Sequence, residues 1–292
     1  MPDYPVPANF SFGATVESHG WYRLAPFRWS GGVLRRKEAL PEGVTDLAIS
    51  FRNGKLHVSG AKAGDELKRR ITRMFQLGVD TSEFVALTRN SPAHAWVEES
   101  GFGRLLCGAT LWEDAVKIIA TTNTMWRQTV RMVELLVGKC GRDGAFPSQE
   151  DVLRFDAAEL QQDCRLGYRA KSIHALASFD LDSIDRTADT RALFKAYQKL
   201  PGIGPYGAAH LLAMDGRHDF IAVDTEFRRF VRDAYHGGRR VSDETMLRRY
   251  RKWGKWQYLA YWSELWNEVV PALQPARAED EQSTPLGSDS EY

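Results

Sequence analysis

The segment Lys199-Leu200-Pro201-Gly202-Ile203-Gly204-Pro205 is the part of this 292-residue chain best suited to hold an anion. Two glycines one residue apart let the backbone turn tightly and approach another molecule, and Pro205 suits the first turn of a helix. Amides at such a turn point outward, and a helix N-terminus favours negative charge, so a phosphate group is a natural occupant. Ile203 is expected to tuck between the flanking helices. A plain helix-to-helix connection carries the same signature, and the motif alone leaves both readings open. About twenty residues later Phe220-Ile221-Ala222-Val223 leads into Asp224-Thr225-Glu226-Phe227, where Asp224 is well placed to cap a helix.

These groups need elements to position them. From Asn9 to about Gly60, runs such as FSFGATV, WYRLAPFRW, VTDLAISF and KLHVSG read as strands of a small antiparallel sheet. FSFGATV and WYRLAPFRW are expected to pair across residues 17–20, and Asn53-Gly54 is a hairpin turn. After Ala63 the periodicity becomes helical, as in DELKRRITRMFQL and LWEDAVKIIATT. Further helices are expected at 124–138, 157–164, 169–178, 188–199, 205–215, 225–235, 242–251 and 256–269. The fold class is therefore α+β. A sheet domain with a flanking helix covers 1–90, a helical domain 91–272, and a polar acidic tail, read as disordered, 273–292.

With these residues in place, the chain resembles the helix-hairpin-helix (HhH-GPD) DNA glycosylase superfamily. Its signature is L-P-G-h-G followed by V-D at the start of another helix, matched here by Leu200–Gly204 and Val223-Asp224. Residues 103–124, 165–173 and 254–262 are similar to further family segments. The early sheet is similar to that of the 3-methyladenine and 8-oxoguanine branches. The resemblance implies base-excision repair of damaged double-stranded DNA, with Asp224 as catalytic carboxylate beside a sugar that becomes positively charged. It makes Gly202 and Gly204 phosphate contacts and puts Asn123 in the gap left by an extruded base. Tyr168 becomes a wedge and Arg169 a reader of the opposite base. Bifunctional members carry a Lys where this chain has Tyr206, so the resemblance implies a monofunctional enzyme whose nucleophile is water. Tyr206, His210, Trp112 and Trp126 are candidates for the base pocket, with Trp21 and Trp29 offered by the sheet.

Two departures point away from 8-oxoguanine. Leu24 stands where that branch has Gly, and Glu226 where it has His. An alkylated purine such as 3-methyladenine, already a good leaving group, is the favoured substrate. The alternatives are an 8-oxoguanine-type or bifunctional glycosylase/lyase, and a non-catalytic hairpin module that would not require Asp224. Cys107, Cys140 and Cys164 form no C-x-x-C pair, which argues against an iron–sulfur site and a metal. The resemblance implies no cofactor beyond a monovalent cation at the hairpin backbone.

The formal charge is +1, and five acids sit in the last twenty residues against one base. Arg228, Arg229, Arg232, Arg239, Arg240, Arg248, Arg249, Arg251, Lys252 and Lys255 cluster after the expected catalytic helix, where some are expected on phosphate. No apolar run is long enough for a bilayer and no leader pattern opens the chain, so a soluble, intracellular monomer is expected, away from any membrane.

Overall fold

In the computed structural model, residues 2–269 are described. A five-stranded antiparallel sheet runs in the order β1-β5-β4-β3-β2, from β1 (Asp3–Pro5), β2 (Arg28–Ser30), β3 (Val33–Leu40), β4 (Gly43–Arg52) and β5 (Lys55–Ser59). Asn53 and Gly54, both at positive φ, make the turn that sets Arg52 opposite Lys55, as the sequence leads one to expect.

The pairing expected of FSFGATV with WYRLAPFRW does not form. The Ser11 side chain accepts from Ala14 N and starts α1 (Phe12–Val16), which buries Phe12, Ala14 and Val16. Trp21–Arg23 make a single 3-10 turn, and only Arg28–Ser30 of the second run is strand. Short apolar runs fit a buried helix as well as a strand, and here the serine cap decides. The partner of β2 is instead β3, whose inward-facing residues are Leu34, Arg36 and Glu38. Two of those three are charged, so the period of two is invisible to hydropathy.

Arg36 is held inside by acids. Its Nε lies 2.6 Å from Glu38, and its two Nη groups donate to both oxygens of Glu113 at 3.2 and 2.9 Å. Glu113 belongs to α5 (Leu111–Thr121), so this fork ties the sheet to the helices. Removing one member of such a buried pair costs about 3–5 kcal/mol, because the other charge is left uncompensated.

The remaining helices are α2 (Asp65–Met74), α3 (Ser82–Thr88), α4 (Trp96–Ser100), α6 (Trp126–Cys140), α7 (Gln149–Val152), α8 (Ala157–Asp163), α9 (Arg169–Ala177), α10 (Thr190–Tyr197), α11 (Pro205–Met214), α12 (Thr225–His236), α13 (Asp243–Arg248) and α14 (Gln257–Val269). All eight later helices expected from periodicity are present within a few residues of their expected bounds. Helix α11 is buried on every side from Gly207 to Met214. A Cβ on Gly207 would stand 3.1 Å from Ile118 and 3.2 Å from Ile203, which shows how closely α5 and the hairpin pack. No helix among the described residues is long and apolar enough to cross a membrane. The acidic tail lies outside the described residues.

Candidate active site

The hairpin joins α10 to α11. Leu200 and Ile203 are buried in it, with Ile203 between the helices as expected, while Gly202 and Gly204 are exposed. The two glycines do different work. Gly202 has φ +81°, and a Cβ there would lie 2.6 Å from Ser172 Cβ, so the turn itself requires glycine. Gly204 has an ordinary φ of −92°, and a Cβ there would meet nothing within 4 Å. No side chain caps α11, so its leading amides face open ground.

Asp224 is the N-cap of α12 and accepts from Phe227 N at 2.7 Å. Phe227 packs edge-on against Tyr261 at 5.0 Å and anchors that turn in the core. Burial raises the Asp224 pKa, and Glu226 adds to this, while the Phe227 amide and Arg228 oppose it. Its field reaches Tyr206 in the first turn of α11. Burial first, and then the Asp224 charge, push the Tyr206 hydroxyl up to about 12, so it stays protonated at neutral pH.

An aromatic cluster extends inward from these two residues. The ring of Tyr206 is 5.5 Å from His210, which is 5.8 Å from Tyr258, 6.3 Å from Trp262 and 6.2 Å from His19. His210 is pushed down to about 4 by burial and is neutral. Trp262 stacks on Tyr258 at 5.7 Å and donates from Nε1 to Ser18 O at 2.8 Å. That bond brings the loop at residues 18–21 against the helices. Trp21 lies 5.1 Å from His19, and a Cβ on Gly20 would be 3.3 Å from the Trp126 ring.

The structure thus brings Asp224, Tyr206 and His210 together, with Trp21 and Trp126 beside the same cluster. Trp112 is a correction. Thr121 and Ile118 of α5 meet the Tyr206 end of α11, whereas Trp112 sits at the opposite end of α5, buried, with Nε1 on Pro147 O at 2.7 Å. Over nine residues a helix advances roughly 13 Å, which removes Trp112 from the cluster. Trp29 is also elsewhere, donating to Glu17 at 2.8 Å. His19, Tyr258 and Trp262 were not among the sequence candidates. The i, i+4 spacing of Tyr258 and Trp262, matching that of Tyr206 and His210, is the signal that could have found two of them.

Asn123, Tyr168 and Arg169 lie on a neighbouring edge. Asn123 has φ +47° and donates from Nδ2 to the Tyr168 hydroxyl at 3.2 Å, and both residues are exposed. Arg169, expected to read the opposite base, is buried in the free protein. Its guanidinium donates to Thr122 O and, at 3.1 Å, to Asn123 O, and it stacks on Tyr168 at 4.7 Å. Many of the expected phosphate-binding cations already pair with acids: Arg228 with Asp243, Arg232 with Asp233, Arg251 with Glu244 and Lys255 with Glu83. Among the described residues no group of three or more His, Cys, Asp or Glu is arranged to hold a metal ion.

A hairpin with this glycine pair, followed by a capped aspartate facing its second helix, is found over residues that match a known family. Residues 116–255 match the HhH-GPD superfamily, described as base excision DNA repair protein. The match covers 140 of the 292 residues and includes both the hairpin and Asp224. The chain's HhH-GPD fold is also seen in solved structures. A 3-methyladenine DNA glycosylase from Archaeoglobus fulgidus is similar with TM-score 0.76 and 18% identity, over 92% of this chain and 99% of that one. An 8-oxoguanine glycosylase/lyase from Clostridium acetobutylicum, in complex with double-stranded DNA, has TM-score 0.70 and 18% identity over 89% and 92%. At these identities the likeness establishes the fold. A search of curated proteins finds no match.

Proposed function

We propose that the protein is a monofunctional DNA glycosylase that hydrolyses the N-glycosidic bond of an extruded damaged purine, with an alkylated purine favoured. The observation that carries this reading is the Asp224 carboxylate, fixed by Phe227 N and partly buried beside an aromatic cluster at the foot of the hairpin. Gly204 and the uncapped start of α11 accept a backbone phosphate, which positions the duplex without reading its sequence. Asn123 and Tyr168 enter the space vacated by the base, and Arg169 holds their turn by its bonds to the Thr122 and Asn123 carbonyls.

In the reaction the C1′–N bond breaks and its electron pair leaves with the base. The deoxyribose becomes oxocarbenium-like, and the ionised Asp224 stabilises that charge. A water oxygen then bonds to C1′ and its proton passes to the carboxylate, which gives an abasic site in an intact strand. Tyr206 occupies the first turn of α11 and offers no amine for a Schiff base. The aromatic faces around His210 suit an electron-poor alkylated base, whose cationic ring they attract.

The test is a substrate panel under single-turnover conditions. It contains methylated DNA carrying 3-methyladenine and 7-methylguanine, and defined duplexes carrying hypoxanthine, 1,N6-ethenoadenine or 8-oxoguanine. Release of a methylated purine fastest supports the proposal, 8-oxoguanine first overturns the substrate class, and release from none overturns the activity.

A further inference from the structure

His19 presents a buried, unpartnered nitrogen beside this site. Its side chain is almost wholly enclosed, yet Nε2 has no hydrogen-bond partner. The same holds for two neighbours, Nδ1 of His210 and the hydroxyl of Tyr258. Buried polar atoms are nearly always paired, so orphans on His210 and on two rings about 6 Å from it point to a polar ligand that completes them.

The hydrogen bonds on the other side of His19 decide what it can offer. The Leu106 amide donates to Ser18 Oγ at 3.0 Å, so that oxygen is already an acceptor. Ser18 Oγ stands 2.8 Å from His19 Nδ1, and among the described residues this is the one acceptor within reach of the buried hydroxyl, so satisfying its hydrogen requires that Nδ1 accept it. Burial, together with His210 and Lys117, pushes the His19 pKa well down, so the ring is neutral and carries one proton. With Nδ1 accepting, the proton sits on Nε2. Ser18 is itself held by the Trp262 bond to its carbonyl, so the donor is rigidly placed.

We propose that His19 is a specificity-determining residue that donates a hydrogen bond from Nε2–H to an acceptor atom on the edge of the extruded purine. This rests on the glycosylase reading above. A base presenting N–H at that point meets donor against donor and is rejected, while one presenting a ring nitrogen or carbonyl oxygen is accepted. His19 thereby adds a hydrogen-bond requirement to a pocket otherwise built from aromatic faces, which by themselves discriminate weakly.

The test compares wild type with His19→Phe and His19→Gln on the best-released purine of the panel and on analogues in which each acceptor is removed in turn, a ring nitrogen by replacement with C–H and a carbonyl oxygen by replacement with hydrogen. His19→Phe should release the parent purine about 10- to 100-fold more slowly while binding undamaged duplex as before. His19→Gln, whose amide donates, should recover part of the loss. One analogue should be disfavoured by wild type and not by His19→Phe, and taking the ratio of ratios removes intrinsic leaving-group differences. Equal slowing of His19→Phe on the parent and every analogue would show a packing role and overturn the proposal, as would wild-type release. If His19→Phe does not fold, unchanged analogue ratios in His19→Met, whose side chain cannot donate, overturn it as well. If wild type releases no base, the glycosylase reading fails and this one with it, whereas failure at His19 alone leaves that reading standing.

Discussion

Asp224 and Phe227 are joined by a 2.7 Å hydrogen bond from the Phe227 amide to the Asp224 side chain, so the carboxylate is oriented by the turn of helix it starts. Capping and chemistry are therefore not rival roles. The bond fixes one oxygen of the carboxylate at the start of the helix.

The pH dependence follows from the raised pKa of Asp224. The ionised form is the active one, so base release should fall on acidification with a midpoint above that of an ordinary carboxylate. For stability the sign is opposite. A carboxyl raised in the folded state stabilises the fold only while protonated, and this contribution is lost as pH rises through the folded pKa. Asp224→Asn should therefore raise Tm at pH 7, with the difference shrinking towards pH 3. Thermal melts across that range check it, and a Tm at pH 7 below wild type would contradict it.

The two hairpin glycines should separate cleanly. Gly202→Ala meets both a positive φ and the Ser172 side chain, and should cost about 1–3 kcal/mol of stability. Gly204→Ala has room in the free protein and should change stability by less than about 0.5 kcal/mol, yet weaken lesion-bearing and undamaged duplexes alike. Melts and filter-binding on both duplexes measure the pair. A loss confined to the lesion duplex would show that Gly204 does not serve phosphate.

How far the sequence revealed this site depends on the kind of signal. Helix spacing and glycine chemistry are local, so the hairpin, α12 and the Asp224 cap were legible. Strand β3 was not, because Arg36 and Glu38 face inward and Glu113, the helix acid that holds Arg36, lies 77 residues away. For Trp112 and Arg169 the sequence was silent for a related reason. Both have side chains suited to a site, but which end of α5 meets the hairpin and which carbonyls Arg169 holds are tertiary facts. His19 carried no signal beyond its type, since its partners Ser18, His210 and Trp262 converge only in the fold.

Arg169 and Asn123 offer a further check. Asn123→Gly removes an exposed side chain at a φ of +47° that glycine adopts freely, and should leave Tm nearly unchanged while weakening binding to a duplex containing an abasic site. Arg169→Ala should weaken that binding too and also cost about 1–3 kcal/mol, because the partly buried Thr122 and Asn123 carbonyls lose a charged donor. If Arg169→Ala altered only the preference for the opposite base at unchanged Tm, the residue would be a reader after all.

The product should be an intact strand with an abasic site, because Tyr206 has no amine. The buried Lys117 is held by Glu113 at 2.6 Å and lies over the Phe27 ring at 4.5 Å. Borohydride should trap no covalent complex on substrate DNA, and nicks should appear only after alkali. Efficient trapping by the unaltered protein would move the assignment to the bifunctional class.

The central claim is that the Asp224 carboxylate stabilises the charged sugar. It is tested most directly by the single-turnover rate of base release for Asp224→Asn, on the duplex that wild type cleaves best and with binding measured in parallel. The amide keeps the shape and the bond to Phe227 N and removes the charge. The account gives a rate about 10²–10⁴-fold lower with unchanged duplex affinity. A wild-type rate in that variant would contradict it.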